Sequence, residues 1–383
     1  MTDVLVAGGG IVGLAHAVAA VRRGLSVCVV ERHTEPIGAS IRNFGMIWPI
    51  GQAAGLGRRR ALRSREIWCE MAREAGFWCR DSGSLHAAYA DDELAVLQEF
   101  SGGDGAEIGG EILSPTAARE RCPALRLEGL RGAYWSPVEL AVDPREAIRS
   151  LLQWIGRQSK TRVILGDPLV HAGDGRAVTA SGERLTARRT FVCTGADFQA
   201  LYPEAYAAQP LIRCKLQMLR TAPQPGGWRL GPHLAFGLTL RHYASFANCP
   251  SLPLLRARIA RETPEFDRFG IHVLAAQNGL GELVLGDSHE YGDKIRAEDS
   301  PEIDALILGY LRRVLDAPDL APAARWSGTY LKRSDGQMAF VAEPEAGVRI
   351  VNALGGAGMT LAFALAEEHL EEAQATSINA SVE

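Results

Sequence analysis

VLVAGGGIVGLAHAVAAVRRGLSVCVVE, residues 4–31, decides how the rest of the chain is read. Val4, Leu5, Val6 and Ala7 make an apolar run with no polar alternation, as a strand buried on both faces requires. Gly8-x-Gly10-x-x-Gly13 follows at once. Ile11 to Arg23 then reads as a helix, with Leu14, Ala17, Val18 and Val21 on one face and Gly24 as its stop. A second apolar strand, Leu25 to Val30, ends on Glu31. Gly8 permits the tight turn, Gly10 lets the backbone approach a diphosphate, and Gly13 lets helix and strand pack closely. Ile11 and Val12 open the helix, whose free N–H groups and positive dipole end favour that anion. Glu31, 23 residues after Gly8, is placed to accept both hydroxyls of an adenosine ribose. A glycine turn alone is weak evidence for a dinucleotide site. Set between strand and helix, with an acid closing the second strand, it favours that site over a bland βαβ unit.

At 383 residues the chain exceeds one typical domain, so two intertwined domains are expected. A hydrophobic fraction of 47% beside 22% charged residues is ordinary for a soluble globular protein. No uninterrupted apolar stretch approaches the roughly 18 residues of a membrane span. A net charge of −4 argues against a nucleic-acid partner, whose phosphates call for a basic footprint. The seven cysteines are scattered, odd in number and without a C-x-x-C pair, which fits reduced thiols in a cytosol and offers no zinc site. No metal is expected. The glycine turn so close to the N-terminus, with no charged segment before it, argues against a cleaved signal peptide and for a cytoplasmic protein.

Outward from the opening stretch, residues 31–51 (ERHTEPIGASIRNFGMIWPIG) read as a long loop, and long loops in compact domains are usually functional. Helices are expected over Gly55–Gly76, with Ala61, Leu62, Ile67, Trp68 and Met71 inward and the arginines outward, then over Asp91–Phe100 and Leu113–Cys122. Gly129–Val142 reads as strand and turn, and Asp143-Pro144 opens a helix to about Gln158. From Thr161 to Ala196 three strand-like pieces form a small meander. Residues 210–221, 233–246 and 271–292 then make a block of antiparallel strands, the last a hairpin turning at Asn278-Gly279. Ser300–Leu315 is one amphipathic helix. The chain closes as it opened, with the strand VRIVNA, the glycine turn GGAGMT and the helix LAFALAEEHLEEA.

A strand, glycine turn and helix at each end, with antiparallel strands between, predict a nucleotide domain assembled from both termini. The expected division is 1–85 with 140–205 and 322–376 for that domain, and 86–139 with 206–321 for a substrate domain. Residues 377–383 read as a disordered tail.

The motifs in sequence are Gly8-x-Gly10-x-x-Gly13, Glu31-Arg32, Gly38-Ala39-Ser40, Asn43-x-Gly45-Met46, Thr194-Gly195-Ala196, and Gly355-Gly356-Ala357-Gly358-Met359-Thr360. Together they resemble the D-amino-acid oxidase, glycine oxidase and sarcosine oxidase family of flavoproteins, from residue 8 to residue 360. The resemblance implies an α/β fold: a Rossmann-like FAD-binding domain built from both termini, interrupted by an α+β substrate domain with a mainly antiparallel sheet. It implies FAD, with Ser40 and Arg42 toward the pyrophosphate. Leu169 stands at the position that clamps adenine through its backbone, and Thr194-Gly195, which alone could be an ordinary strand-end turn, is counted with the FAD-binding residues. The Gly355–Gly358 turn would offer N–H groups to the flavin edge that turns negative on reduction, with Thr360 adding a hydroxyl. A side chain at Gly356 or Gly358 would push that turn away or demand a positive φ.

Two departures shape the functional reading. No cysteine lies beyond Cys249 and no histidine sits in Asn43–Trp48, so the FAD is expected to be non-covalent. Tyr330 stands where the amino-acid oxidases of this family place an arginine for the substrate carboxylate, with Lys332 and Arg333 close behind. RNFGMIWPIGQ, LRHY and GELVLGDSHEYG resemble the subgroup associated with phosphonate catabolism, which implies an aminophosphonate-like substrate. Arg241, His242, Lys332 and Arg333 are then expected on strands facing one cavity. Strand alternation favours Tyr330 and Lys332 over Arg333 as the anion site, and His242, Tyr243 and Tyr330 are candidates for orienting the amine.

The implied activity is an FAD-dependent amine oxidase. A hydride leaves the carbon beside nitrogen, the imine hydrolyses to aldehyde and amine, and O2 takes the electrons to give hydrogen peroxide. The alternatives are an oxidase or demethylase of an N-methyl or glycine-like amino acid, a dehydrogenase with a carrier acceptor, and a non-catalytic flavin-binding subunit. No second GxGxxG follows a strand, so an NADPH-driven monooxygenase is not expected. The partners are a small amine and O2, with neither nucleic acid nor membrane, in a monomer or homo-oligomer.

Overall fold

The strand Thr2–Ala7 lies inside an eight-stranded sheet in the computed structural model, which describes residues 1–292 and 295–379. Val4 to Ala7 pair in parallel with Val27 to Val30 on one side and with Arg189 to Val192 on the other. The alternation of side chains sets the two faces. Val4, Val6, Val27 and Val29 join a cluster with Leu14, Val18, Trp68, Leu151 and Phe363, from the helices Ile11–Arg22, Leu56–Ala75, Pro144–Gly156 and Gly358–Asn379. Leu5, Ala7, Cys28 and Val30 pack on the opposite face with Leu169, Ala172, Ala177 and Tyr206. Gly13 is required by proximity: a Cβ there would stand 2.0 Å from the Gly8 carbonyl oxygen.

The closing strand Val348–Asn352 pairs in parallel with Arg184–Val192, so both ends of the chain share one sheet. Thr161–Leu165 pairs in parallel with Val27–Glu31 at the sheet's edge, whereas the meander consists of Leu169–Gly173, Arg176–Thr179 and Arg184–Val192.

The second large sheet has nine strands among the described residues. It is mainly antiparallel, with one parallel pair, His233–Phe236 against Ser84–Ala88. Pro322–Arg333 pairs with Leu211–Pro223 from Leu211↔Arg333 to Thr221↔Pro322, so this strand belongs to the nine-stranded sheet although the expected boundary assigned it to the nucleotide domain. At its far end Lys332 bridges to Leu354, which carries the strand across to the nucleotide unit.

Several expectations need correcting. The stretch 233–246 is not one strand: after Phe236 the chain enters the short helix Gly237–Leu240, so Arg241 and His242 follow a helix. The reason is tertiary: Gly237 lies flat against the Glu93 carboxylate and the Thr239 hydroxyl donates to the Val273 carbonyl at 3.1 Å. The hairpin loop runs over four residues, Asn278 to Gly281, with its positive φ at Gly281 (+84°) and not at Gly279. Arg58 is buried rather than outward, donating to the carbonyls of Gln52 (3.0 Å) and Asp104. The closing helix continues to Asn379, and residues 380–383 of the expected tail lie outside the described residues.

Candidate active site

A cavity of about 860 Å³ is walled by elements of both large sheets. The Gly8–Gly10 turn and Glu31 wall one part of it, and His242, Tyr243, Tyr330 and Lys332 another. The turn from Gly355 to Thr360 meets both parts. A Cβ built on Gly358 would stand 3.6 Å from Ile11, one on Gly356 3.4 Å from the Tyr330 hydroxyl, and one on Gly355 3.5 Å from Lys332 Cγ.

In the nucleotide part, the buried Glu31 carboxylate accepts N–H groups from Gly9 (2.7 Å) and His33 (3.0 Å). The Ser40 hydroxyl accepts from Ile11 N–H at 2.9 Å, so it is tied to the start of the first helix. Arg42 donates to the Ser327 carbonyl at 2.8 Å, fastening the 32–51 loop to the nine-stranded sheet. Asn43 is engaged within its own loop, donating to Ala39 (3.1 Å) and Ser40 (2.9 Å) and accepting from Gly45 (2.8 Å). Met46 is buried on the cavity wall. Arg32 pairs with Asp197, whose carbonyl accepts the Thr194 hydroxyl, and Gly195 is held by the Asn352 amide at 2.9 Å. Leu169, buried at the start of its strand, also lines the cavity.

At the C-terminal turn the positive φ falls on Gly355 (+58°), and Gly358 is helical at −54°, so a positive φ is not what Gly356 and Gly358 supply. The chain must fold back sharply where Val348–Asn352 ends, before the helix can begin. The Thr360 hydroxyl accepts the Trp48 N–H at 3.0 Å, and the Met359 carbonyl accepts from the Trp68 indole at 2.7 Å. Thr360 and Met359 thus lock the long loop and a neighbouring helix onto the turn.

In the substrate part, Tyr330 and Lys332 line the cavity, while Arg333 turns away to pair with Asp335 and donates to Gln209 at 3.0 Å. Arg241 does not line it: its guanidinium pairs with Asp267 and donates to the Ile271 carbonyl at 3.0 Å. Burial holds the Tyr330 and Tyr243 phenols well above their ordinary range, so both are hydrogen-bond donors at neutral pH. Burial, with Lys332 and Arg241 nearby, lowers His242 to about 3, leaving a neutral imidazole.

Sequence reasoning gave no role to His272, Asp287 or His289, the last two quoted only within GELVLGDSHEYG; the three converge on this part of the cavity. His272 stacks on His242 with ring centroids 3.9 Å apart, and His289 lies 4.3 Å from His242 by the same measure. Asp287 Oδ1 is 3.1 Å from His272 Nε2. The signal was present: His272 and Asp287 flank the two ends of one predicted hairpin, and each donates its backbone N–H to the other's carbonyl (3.2 and 2.9 Å).

The donor set suits an adenine dinucleotide carrying a flavin. A carboxylate stands ready for hydroxyls, the N-terminus of the helix Ile11–Arg22 for a diphosphate, and the N-terminus of the helix Gly358–Asn379 for a ring edge. A Cβ on Gly10 would stand 3.0 Å from Ser40 Oγ, a tight approach, so the bare backbone of glycine suits the cradle beside that hydroxyl.

Comparisons with known proteins agree with that donor set. The family model described as FAD dependent oxidoreductase (DAO) matches residues 3–371. One subunit of the opine oxidase of Rhizobium meliloti is 23% identical over 352 residues, covering 87% of this chain and 83% of that protein. Glycine oxidase from Geobacillus kaustophilus shares the fold with a TM-score of 0.75 at 17% identity, over 97% of this chain and 94% of that one. Dithionite-reduced L-alpha-glycerophosphate oxidase from Mycoplasma pneumoniae, with FAD bound, superposes with a TM-score of 0.73 at 16% identity, over 96% and 94%.

Proposed function

We propose that this chain, which belongs to the FAD-dependent oxidoreductase family, oxidises a small anionic amine, of which an aminophosphonate is the best candidate. FAD, when bound, supplies the two-electron oxidation of the C–H bond beside nitrogen. Among the described residues Cys193 is the cysteine on the cavity wall, and it sits beside Gly8 in the nucleotide part, which supports a FAD not tethered through cysteine.

The observation that carries this reading is the approach of Tyr330 and Lys332 to the Gly355–Gly356 turn. A cation and a phenol donor beside that turn would hold the anionic end of a substrate while its C–H bond lies over the ring. A phosphonate offers three oxygens and nearly two charges, which suits several separate donors better than one arginine fork. The amine arrives as its free base, and Tyr243 can steer it by donating its hydroxyl. The imine then takes up one water to give aldehyde and amine.

The test is peroxide release across a panel containing 2-aminoethylphosphonate, its N-methyl derivative, β-alanine, N-methylglycine and propylamine. Turnover is expected with the anionic amines, phosphonates first. Equal rates with propylamine overturn the anion site.

A second reading is supported by the relative that is part of an opine oxidase: a secondary amine bearing carboxylates, handled by one chain of an assembly. Anaerobic bleaching of the flavin by an opine, with slow reoxidation in air, would favour it over an O2-using oxidase. No described helix is long and apolar enough to cross a membrane. Seven free cysteines support a reducing compartment such as the cytoplasm.

A further inference from the structure

His242, His272 and His289 each offer a ring nitrogen, and the three ligand atoms all lie within 4.8 Å of one another. His272 and His289 are almost wholly buried, and so is Asp287 between them, with carboxylate oxygens 3.1 and 3.9 Å from their Nε2 atoms. Both ring nitrogens of His272, Nδ1 of His289 and Oδ1 of Asp287 are buried without a hydrogen bond. Such atoms cost roughly 1–3 kcal/mol each when unmet, so this wall of the cavity calls for a partner: water, an ion or a bound molecule. We propose that His242, His272 and His289, with Asp287 beside them, form a binding site for one divalent transition-metal ion of the Zn²⁺ type.

The chemistry of the four groups favours a cation over an anion. Each imidazole carries a ring lone pair that a metal can take, and the buried Asp287 carboxyl group stands beside two of the rings. One divalent ion would engage the lone pairs and compensate the carboxylate together. An anion seated among the same rings would lie against Asp287. Lys332 opposes a metal electrostatically, and the carboxylate offsets that single charge. Arg241 is already paired with Asp267. Asp287 lies 3.1 and 3.9 Å from the two Nε2 atoms, near enough to become the outer-shell partner of a ligating imidazole once the rings move onto an ion. Tetrahedral ligands at zinc–nitrogen distances of ~2.0 Å stand ~3.3 Å apart, so binding would draw the rings together. Imidazole ligation suits zinc, iron, nickel or copper. The site stands whatever amine the enzyme oxidises.

The experiment uses the FAD-loaded protein before and after dialysis against EDTA. Metal content is measured by mass spectrometry, and Zn²⁺ and Co²⁺ are titrated back by calorimetry and by visible absorption to the red of the flavin bands. One ion per chain is expected, with a Co²⁺ ligand-field band. His272→Ala and His289→Ala should each weaken Zn²⁺ binding more than ~100-fold at unchanged flavin content, beyond the ten- to hundred-fold typical of outer-shell partners. Asp287→Asn should weaken it less. Absence of saturable binding by either ion overturns the site, as does binding retained in a His272→Ala/His289→Ala double variant. Inorganic phosphate bound by the metal-free protein, and lost in His272→Ala, would reassign the cluster to the anionic end of the substrate.

Discussion

The Glu31 carboxylate accepts the Gly9 N–H at 2.7 Å, so the acid that closes the second strand also fixes the glycine turn before the first helix. Its other oxygen takes the His33 N–H at 3.0 Å. Glu31→Ala therefore removes a ribose acceptor and orphans a buried donor, each costing roughly 1–3 kcal/mol. Weak FAD retention is expected, together with a lower melting temperature of the apoprotein. Protein purified with full flavin occupancy would remove Glu31 from the ribose site.

Lys332 and Arg333 are neighbours with opposite surroundings, the first on the cavity wall and the second paired with Asp335. Lys332→Met should raise the KM of an anionic amine about ten- to hundred-fold, the loss of one charge-assisted hydrogen bond at roughly 1.5–3 kcal/mol. A neutral amine of similar length should be nearly unaffected. Equal effects on both substrates would place Lys332 outside the binding site.

Gly355 has a φ of +58°, and Gly358 has −54°, where an added Cβ would find its nearest neighbour 3.6 Å away. Gly355→Val should therefore disturb turnover and flavin affinity, the left-handed backbone alone costing a bulky side chain roughly 1–2 kcal/mol. Gly358→Ala should be tolerated. Steady-state kinetics and flavin dissociation constants for the pair decide the matter, and the reverse order would refute the assignment.

His16 and His369 meet in the core, with Nε2 and Nδ1 3.0 Å apart. His16 Nδ1 lies 2.8 Å from the Val12 carbonyl and donates to it, so the network assigns His16 as acceptor and His369 as donor, both neutral. Burial lowers His16 to about 4, and burial with His16 beside it lowers His369 to about 2. The unfolded chain binds these protons first, so stability rises with pH and is lost as pH falls from about 6.5 toward 4. The melting temperature should drop between about pH 7 and pH 5, and less steeply in a His16→Leu/His369→Leu variant. An unchanged slope would show that the pair does not titrate in this window.

Much of the nucleotide unit was legible because its signals are local. The run Val4–Ala7 and the Gly8-x-Gly10-x-x-Gly13 turn sit within a few residues of the contacts they make, and Glu31 is one strand away. The stretch 233–246 misled because its apolar residues fit a strand, while the helix at Gly237 is imposed by Glu93 and Val273, distant in sequence. Arg58 misled in the same way: its type says surface, yet the carbonyls that bury it come from Gln52 and Asp104.

By itself the sequence determined the βαβ unit, its return at the C-terminus and the face on which Tyr330 and Lys332 point, because strand period and glycine sterics act over neighbouring residues. Tertiary structure decided the partners that claim the other charges: Arg241 and Arg333 pair with Asp267 and Asp335, while Lys332 lines the cavity wall. It also decided the gathering of His242, His272 and His289. Their convergence depends on the pairing register of one hairpin and on a helix that ends beside it, and long-range packing sets both.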